Sequence, residues 1–228
     1  FHTRFPDYIK QRAFIPKRFT YSILRKLHSD SERVLVPSVS MLNELKKYNF
    51  KNLVVWNRGV DTELFNPNKR DTNSKDTQLT YVGRVAIEKN IEEFLELKGN
   101  YNKIVVGDGP ELQKYINKYP KVNFVGVKTG QELAKYYANA DVFVFPSKTD
   151  TLGNVILEAL ASGTPIAAHP VTGPIDVLTD EKINTLDNDL LQSIKKALKV
   201  KRVDCRNFTL KLTWDKCVKE FLEYMVNV

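Results

Sequence analysis

The sequence predicts an α/β protein whose main domain is built on a doubly wound parallel sheet. From Thr80 onward, short apolar segments alternate with helix-like segments, which is typical of a parallel sheet with helices on both faces. The apolar segments are hydrophobic along nearly their whole length, as expected for strands that are buried on both sides. These two observations together define the fold class.

The elements of this domain follow one another at short intervals. Six strands are expected, the last of them short, over residues 79–83, 103–107, 122–125, 141–145, 165–168 and 184–186. Helices are expected over residues 88–97, 110–118, 131–140, 153–161, 175–178 and 189–198. Pro110 suits the first turn of its helix, because a proline there gives up no helical hydrogen bond.

The first 66 residues do not fit this unit. They contain a helical stretch over residues 8–28 that is interrupted at Pro16, strands over 33–36 and 53–55, and a helix over 39–48. We interpret them as the C-terminal part of a second α/β domain with a linker at its end, and we expect its first half to precede Phe1. The predicted division is residues 1–66, 67–212 and a C-terminal helix over 213–228.

The positive charge is concentrated at the start of the chain. Residues 1–60 carry 12 Lys and Arg against 4 Asp and Glu, whereas the rest of the 228 residues carry 23 against 23. Aromatic residues lie among these cations, a composition that suits an anionic membrane surface or a nucleic-acid backbone. No motif of a nucleic-acid reader accompanies the charge, so we expect a membrane surface and no nucleic acid. The alternative is a solvated helix face.

Neither the cysteines nor the Asp-x-Asp segment predicts a metal site. Cys205 and Cys217 are too few and wrongly spaced for metal or redox chemistry, and we expect two buried thiols in a reducing compartment. Asp187 and Asp189 directly precede an amphipathic helix, where capping by Asp189 explains them better than metal binding. We therefore expect no metal to be required.

Two carboxylates flank a predicted helix start after the fourth strand. Asp150 and Glu158 lie on either side of Gly153 and Asn154. A strand followed by a short loop and a helix N-terminus can hold a phosphate through backbone N–H groups. The acids could then contact the two ends of an extended ligand, a sugar joined through phosphates to a ribose. The alternative is an ordinary helix capped by Asp150 or Asn154.

Two further loops follow the first and second strands. The segment Gly83-Arg84-Val85-Ala86-Ile87-Glu88-Lys89-Asn90 offers two cations near a strand end, where they could stabilise charge on a diphosphate. Gly107-Asp108-Gly109-Pro110 forms the next turn, and it lacks the third glycine of a dinucleotide fingerprint. The alternatives are an exposed loop with solvated cations and a plain tight turn.

Taken in order, these segments resemble the retaining glycosyltransferases of GT-B architecture in glycosyltransferase group 1 and family 4. Asp150 in place of the commoner Glu resembles the branch of sulfoquinovosyl-, glucosyl- and glucuronosyl-diacylglycerol synthases. The resemblance implies a catalytic role for His2 and Asp150, diphosphate binding by Arg84 and Lys89, and ribose binding by Glu158. The further donor-binding residues that it implies are Gly83, Gly107, Gly109, Val125, Thr151, Leu152, Gly153 and Asn154. It also implies that Gly173-Pro174-Ile175-Asp176 forms a loop beside the sugar, for which the alternative is a simple helix start.

The implied function is sugar transfer from a nucleotide sugar, a UDP-sugar being favoured, with retention to a lipid such as diacylglycerol. The resemblance implies no metal or other cofactor, and a cytoplasmic protein bound to the inner face of the cytoplasmic membrane. GDP-mannose-dependent α-mannosyl transfer and a noncatalytic sugar-nucleotide-binding module, for instance an inactive truncated chain, are the alternatives. A nucleic-acid-binding protein and an NAD-dependent dehydrogenase fit the sequence less well, the latter because the first strand lacks the glycine fingerprint.

Overall fold

The computed structural model describes Pro6, Ile9 and residues 14–71, 76–148 and 153–226. In chain order its helices and strands are α1 (Lys17–Leu27), β1 (Val34–Val36), α2 (Val39–Lys47), β2 (Leu53–Val55), β3 (Gln78–Val82), α3 (Ile91–Leu95), β4 (Asn102–Val106), α4 (Leu112–Lys118), β5 (Asn123–Gly126), α5 (Gly130–Asn139), β6 (Val142–Phe145), α6 (Asn154–Ala161), β7 (Ile166–Ala168), α7 (Pro174–Val177), α8 (Leu190–Ala197), α9 (Arg202–Thr209) and α10 (Trp214–Val226). Single 3₁₀ turns cover Pro67–Lys69 and Ile87–Lys89.

Strands β3 to β7 form one parallel sheet in the order β5-β4-β3-β6-β7. Its interior strand β6 is buried along its whole length. Phe143 and Phe145 join one hydrophobic cluster, whereas Val142 and Val144 join another. Because neighbouring residues of a strand point to opposite faces, each face of the sheet has its own core. The predicted doubly wound α/β fold and its first five strands are confirmed.

The sixth predicted strand, over residues 184–186, is wrong. Thr185 lies beside β7, but it bonds to the carbonyl of Ile166 through its hydroxyl rather than its backbone N–H. One backbone bond follows, from Asp187 N to Ala168 O at 3.3 Å. A side-chain contact and one long backbone bond do not make a strand ladder, so the segment remains an irregular connection.

The predicted helix over residues 88–97 is in two parts. The 3₁₀ turn Ile87–Lys89 comes first, and α3 begins only after Asn90, which adopts the left-handed conformation at φ 51°. Asparagine tolerates this conformation better than most residues because its short amide can hydrogen-bond locally. The Asn90 amide does so, since it donates to Glu93 and to the carbonyl of Pro146.

A two-stranded parallel sheet, β1 with β2, forms the centre of the first region. Its core contains Tyr21, Val36 and Leu45, and the Tyr21 ring stacks on Tyr48 with centroids 3.8 Å apart. Ser38 begins α2 as its N-cap, accepting a hydrogen bond from the N–H of Met41. The predicted helical stretch over residues 8–16 lies mostly outside the described residues.

Helix α10 returns to this first region. The indole N–H of Trp56 donates to the carbonyl of Cys217 at 3.0 Å, and the rings of Trp56 and Phe221 lie 5.3 Å apart. The Tyr224 hydroxyl donates to the carbonyl of Val55 at 3.3 Å. Cys205 and Cys217 are both buried thiols, as predicted. The domain boundaries at residues 66 and 212 remain predictions.

Candidate functional site

The carboxyl edge of the five-stranded sheet gathers most of the predicted site residues. The connections from β3 and from β6 leave this edge on opposite sides, because β4 lies on one side of the β3–β6 pair and β7 on the other. In open α/β sheets, ligands bind in the crevice at such a switch point. Gly83 and Arg84 follow β3, and Gly153 and Asn154 begin the helix that follows β6.

The glycines after β3 and β4 allow two loops to pack against each other. A Cβ atom at Gly107 would lie 2.0 Å from the carbonyl oxygen of Gly83, and one at Gly109 would lie 2.2 Å from that of Val85. The N–H of Val85 donates to the carbonyl of Asp108 at 2.8 Å. Gly107 and Gly109 therefore have a structural role, because they allow the loop after β4 to pack against the loop after β3. We call this second loop, residues 83–90, the cation-bearing loop.

That loop presents two cations. The Arg84 side chain is 60% exposed and lies 3.6 Å from a carboxylate oxygen of Glu88. Its backbone is fixed, since the Tyr81 hydroxyl donates to the Arg84 carbonyl at 2.8 Å. Lys89 is half-buried in the 3₁₀ turn. A fixed backbone with accessible cationic side chains is a suitable arrangement for binding a diphosphate.

Helix α6 begins at the same edge of the sheet. Gly153 is its N-cap and packs on the Phe145 ring, to which an added Cβ would come within 3.1 Å. The Asn154 side chain is exposed. The first N–H groups of a helix have no acceptor within the helix, so those of residues 154 and 155 are oriented to bind an anion.

Glu158 lies one turn inside α6 and has a buried partner. The Tyr137 hydroxyl donates to its Oε2 at 2.8 Å. Burial raises the pKa of Glu158, and the hydrogen bond from Tyr137 opposes this in part. Burial also raises the pKa of Tyr137 well above its usual value, and the nearby Glu158 carboxylate raises it further.

Tyr137 is a site residue that the sequence analysis missed. It lies on the buried face of α5, within the cluster that contains Phe65 and Phe143. A tyrosine at a fully buried position needs a partner for its hydroxyl. Its place on the buried helix face was the available signal, but the sequence does not show which side chain serves as that partner.

The remaining predicted residues are dispersed or outside the described ranges. Val125 is half-buried near the end of β5, one of the two edge strands of the sheet. His2, Asp150, Thr151 and Leu152 lie outside the described residues. Asp189 caps α8 by accepting the N–H of Leu191 at 2.8 Å, so the capping prediction is confirmed.

The segment at Gly173–Asp176 begins a short helix and also contacts the first region. Asp176 accepts the N–H of Ser40 at 3.1 Å through Oδ1. A cavity of about 360 Å³ lies beside this contact, between α6 and α7 on one side and the residues after β1 and β2 on the other, and Arg58 contributes to its wall. The residues that follow β1 and β2 therefore share one cavity with helices α6 and α7.

Comparison with known families identifies the chain. The family model for glycosyl transferases group 1 matches residues 63–206. The chain belongs to this family. The model for glycosyltransferase family 4 matches residues 1–64. Within the described ranges, no helix combines the length and the hydrophobicity needed to cross a lipid bilayer.

Curated relatives of this group 1 chain include enzymes that are named for two different sugars. A GDP-mannose-dependent alpha-mannosyltransferase of Corynebacterium glutamicum is 34% identical over 74% of the chain and 43% of the relative. The sulfoquinovosyl transferase SQD2 of Arabidopsis thaliana is 35% identical over 80% of the chain and 39% of the relative. The chain thus spans about two fifths of the length of these relatives.

Solved structures with the same fold include Anabaena HepE in complex with UDP and glucose, with a TM-score of 0.75 and 15% identity over 92% of the chain and 67% of HepE. They also include a sucrose-phosphate synthase from Thermosynechococcus elongatus, with a TM-score of 0.81 and 22% identity over 92% of the chain and 61% of the synthase. These are GT-B glycosyltransferases, and the predicted GT-B architecture is confirmed.

Proposed function

We propose that this chain contributes the donor-binding part of a glycosyltransferase that transfers a sugar from a nucleotide-diphosphate sugar. The proposal rests on one observation: two loops meet at the carboxyl edge of the sheet, where the neighbouring strands β3 and β6 end. The cation-bearing loop of Arg84 and Lys89 follows β3, and the start of α6 follows β6, with Glu158 one turn inside it. These groups match the successive parts of one ligand: a diphosphate between a sugar and a ribose.

Each group in this arrangement has a chemical task. Bond cleavage between the sugar carbon and the diphosphate oxygen leaves charge on the leaving group, which Arg84 and Lys89 would neutralise in place of a metal ion. The N–H groups at the start of α6 would bind the same phosphates. Glu158 would accept hydrogen bonds from the ribose hydroxyls. Asp150, with the Gly153–Asn154 turn, would position the sugar, and His2 would touch it, as the family resemblance implies.

Transfer with retention would follow if the acceptor entered on the face that the diphosphate leaves. In this mechanism, the acceptor hydroxyl forms a new bond to the sugar carbon while the bond to the diphosphate oxygen breaks. The acceptor proton passes to a phosphate oxygen of the leaving group. This route needs no protein nucleophile, which agrees with the roles assigned to the side chains above.

The proposed acceptor is a lipid such as diacylglycerol, reached at the inner face of the cytoplasmic membrane. The name of the Streptococcus pneumoniae relative, alpha-monoglucosyldiacylglycerol synthase, supports a lipid acceptor; it is 28% identical over 87% of the chain and 52% of the relative. Helix α1 supports membrane contact, because Phe19, Ile23 and Leu27 are exposed along one stripe. The helix also carries four basic residues and no acidic one, as is typical of helices at anionic lipid surfaces.

Mannosyl transfer from GDP-mannose is the second candidate function. It is favoured by the mannosyltransferase relative from Corynebacterium glutamicum, whereas the UDP-sugar proposal is favoured by the HepE complex with UDP. The site residues named above would contact a diphosphate and a ribose, which the two donors share. The base is therefore the feature that separates the two candidates, and a noncatalytic module would bind either donor without transfer.

Parallel titration with UDP and GDP tests the proposal. We expect saturable binding in isothermal titration calorimetry, and we expect UDP to bind more tightly than GDP. Stronger binding of GDP would select the mannosyl alternative, and binding of neither would contradict the proposal. Donor turnover by the longer natural protein, measured with diacylglycerol in anionic vesicles, then separates an enzyme from a noncatalytic module.

A further inference from the structure

One carboxylate outside the predicted site joins three loops of the sheet edge. Oε2 of Glu93, on α3, lies 3.0 Å from Nε2 of His169 and 3.1 Å from Nζ of Lys148. The same oxygen accepts a hydrogen bond from the side-chain amide of Asn90. We call Glu93 and these three residues, Asn90, Lys148 and His169, the Glu93 cluster.

The three partners come from three different strand ends. Asn90 ends the cation-bearing loop after β3, Lys148 follows β6, and His169 follows β7. The Asn90 amide also donates to the carbonyl of Pro146 at 3.1 Å, which spans the gap between the β3 and β6 loops. The Glu93 cluster therefore lies at the switch point of the sheet, where the proposed diphosphate site is.

The Glu93 cluster is partly buried, unlike an ion pair on the protein surface. The His169 side chain is only 4% exposed and that of Glu93 is 30% exposed. Burial alone would raise the pKa of Glu93, but hydrogen bonds from His169, Lys148 and Asn90 outweigh it and the net pKa is lowered. Glu93 is therefore a carboxylate at neutral pH, and it holds the Lys148 ammonium group towards α3.

The neighbouring Glu92 has the same charge on the same helix but a different environment. It pairs with Lys118 of α4 and accepts a hydrogen bond from the Tyr119 hydroxyl at 3.1 Å. Neither partner belongs to a loop of the proposed site. The two adjacent glutamates thus form a natural comparison, in which only Glu93 reaches the carboxyl edge of the sheet.

We propose that Glu93 is a positioning residue of the donor site, which holds the Asn90 end of the cation-bearing loop, Lys148 and His169 in one arrangement. This inference rests on the proposed function, since it assigns Glu93 a role in that same site. Glu93 acts through its partners rather than by touching the donor. In this arrangement Lys148 pairs with Glu93, and diphosphate binding stays assigned to Arg84 and Lys89.

The substitution Glu93→Gln tests this role, with Glu92→Gln as its matched control. Affinity for UDP and GDP is measured by calorimetry, and amide hydrogen exchange over residues 84–91 is measured without nucleotide. For Glu93→Gln we expect about 3- to 10-fold weaker binding of the nucleotide that the wild type prefers, together with faster exchange. Glu92→Gln should change neither quantity.

The substitution Lys148→Met tests the same arrangement at a second residue. The Lys148 side chain is 55% exposed, so its loss leaves the core intact. If Lys148 acts through Glu93, the double substitution should weaken binding no more than Glu93→Gln alone. Additive losses would instead indicate that Lys148 contacts the nucleotide itself, and would overturn the assigned arrangement.

The outcomes separate this inference from the proposed function. If the wild type binds a nucleotide and Glu93→Gln binds it equally well or more tightly, the positioning role is overturned while the donor site stands. If the wild type binds neither nucleotide, both proposals fail. Faster exchange over residues 84–91 in Glu93→Gln, without a change in affinity, would reduce Glu93 to a structural residue.

Discussion

The Tyr137 hydroxyl donates a 2.8 Å hydrogen bond to Oε2 of Glu158, and this bond joins the hydrophobic core to the proposed ribose carboxylate. The Tyr137 ring is held in the core by edge-on contacts with Phe65 and Phe143. Because the ring cannot move without disturbing those contacts, it fixes the position of one carboxylate oxygen. The other oxygen, Oε1, is the one proposed to accept from the ribose.

Replacing Tyr137 with Phe should weaken nucleotide binding while leaving the fold intact. The substitution keeps the ring and removes only the hydroxyl, so that Glu158 loses its buried partner. We expect a loss of about 1 kcal/mol in binding, the usual net value of one hydrogen bond, as measured by calorimetry. Tyr115→Phe, in the other core cluster, is the control. Unchanged affinity in Tyr137→Phe would remove the orienting role.

Nucleotide affinity should fall as the pH is lowered through the raised pKa of Glu158. Protonation would turn the oxygen that accepts from the ribose into a hydrogen-bond donor, and burial raises the pKa of Glu158 above the usual glutamate value of about 4.3. The hydrogen bond from Tyr137 lowers the pKa, so Tyr137→Phe should move the midpoint of the loss to a higher pH. In Glu158→Gln this titration should be absent, and its persistence would assign it to another group.

The same shift has a consequence for stability. A carboxyl group whose pKa is higher in the folded than in the unfolded state favours folding less once it ionises. Its contribution is therefore lost as the pH rises from the unfolded value to the folded one. Glu158→Gln should consequently unfold at the same or a higher denaturant concentration than the wild type at neutral pH, measured by urea titration. Marked destabilisation would show that the carboxylate is structurally required.

Lys89→Ala should weaken binding of a nucleoside diphosphate by about 1.5–3 kcal/mol, the scale of a hydrogen bond to a charged group. The expected loss is specific to this position. Lys114 is an exposed lysine of α4 that pairs with Glu111, the residue before that helix. The variant Lys114→Ala should therefore bind the nucleotide as the wild type does. Calorimetry with the preferred nucleotide measures both variants, and equal affinity in all three proteins would remove Lys89 from the site.

Gly109→Ala should disturb the cation-bearing loop. The added methyl group would meet the Val85 carbonyl at 2.2 Å, so one of the two loops must shift. We expect the melting temperature to fall and nucleotide binding to weaken together. At Gly126 an added Cβ meets no atom within 4 Å, although its φ of 73° strains any replacement. If Gly109→Ala lowers stability no more than Gly126→Ala, close packing is not what requires Gly109.

Much of the fold could be predicted from the sequence because its signals are local. Strand β6 is apolar on both faces, which is sufficient to place it inside a parallel sheet. The break at Asn90 could not be predicted in this way. Its cause is tertiary: the Asn90 amide bonds to Pro146, 56 positions away, and no local propensity reports such a partner.

The residues of the candidate site also fall into those that a local segment predicts and those that depend on tertiary contacts. Arg84 and Glu158 belong to recognisable segments, and the structure places both at one edge of the sheet. Tyr137 and Glu93 belong to no recognisable segment, because their importance depends on which side chains face them across the sheet edge. Contacts between elements that are far apart in sequence determine such residues, and a single sequence does not contain that information.

The chain passes between its two sheets twice, and the two passages lie side by side. Val60 pairs with Thr213, its N–H donates to the Leu212 carbonyl at 2.9 Å, and an added Cβ at Gly59 would lie 2.7 Å from the backbone of Trp214. Because the two backbone segments are hydrogen-bonded to each other, a rotation of one sheet relative to the other would have to bend both segments at the same place.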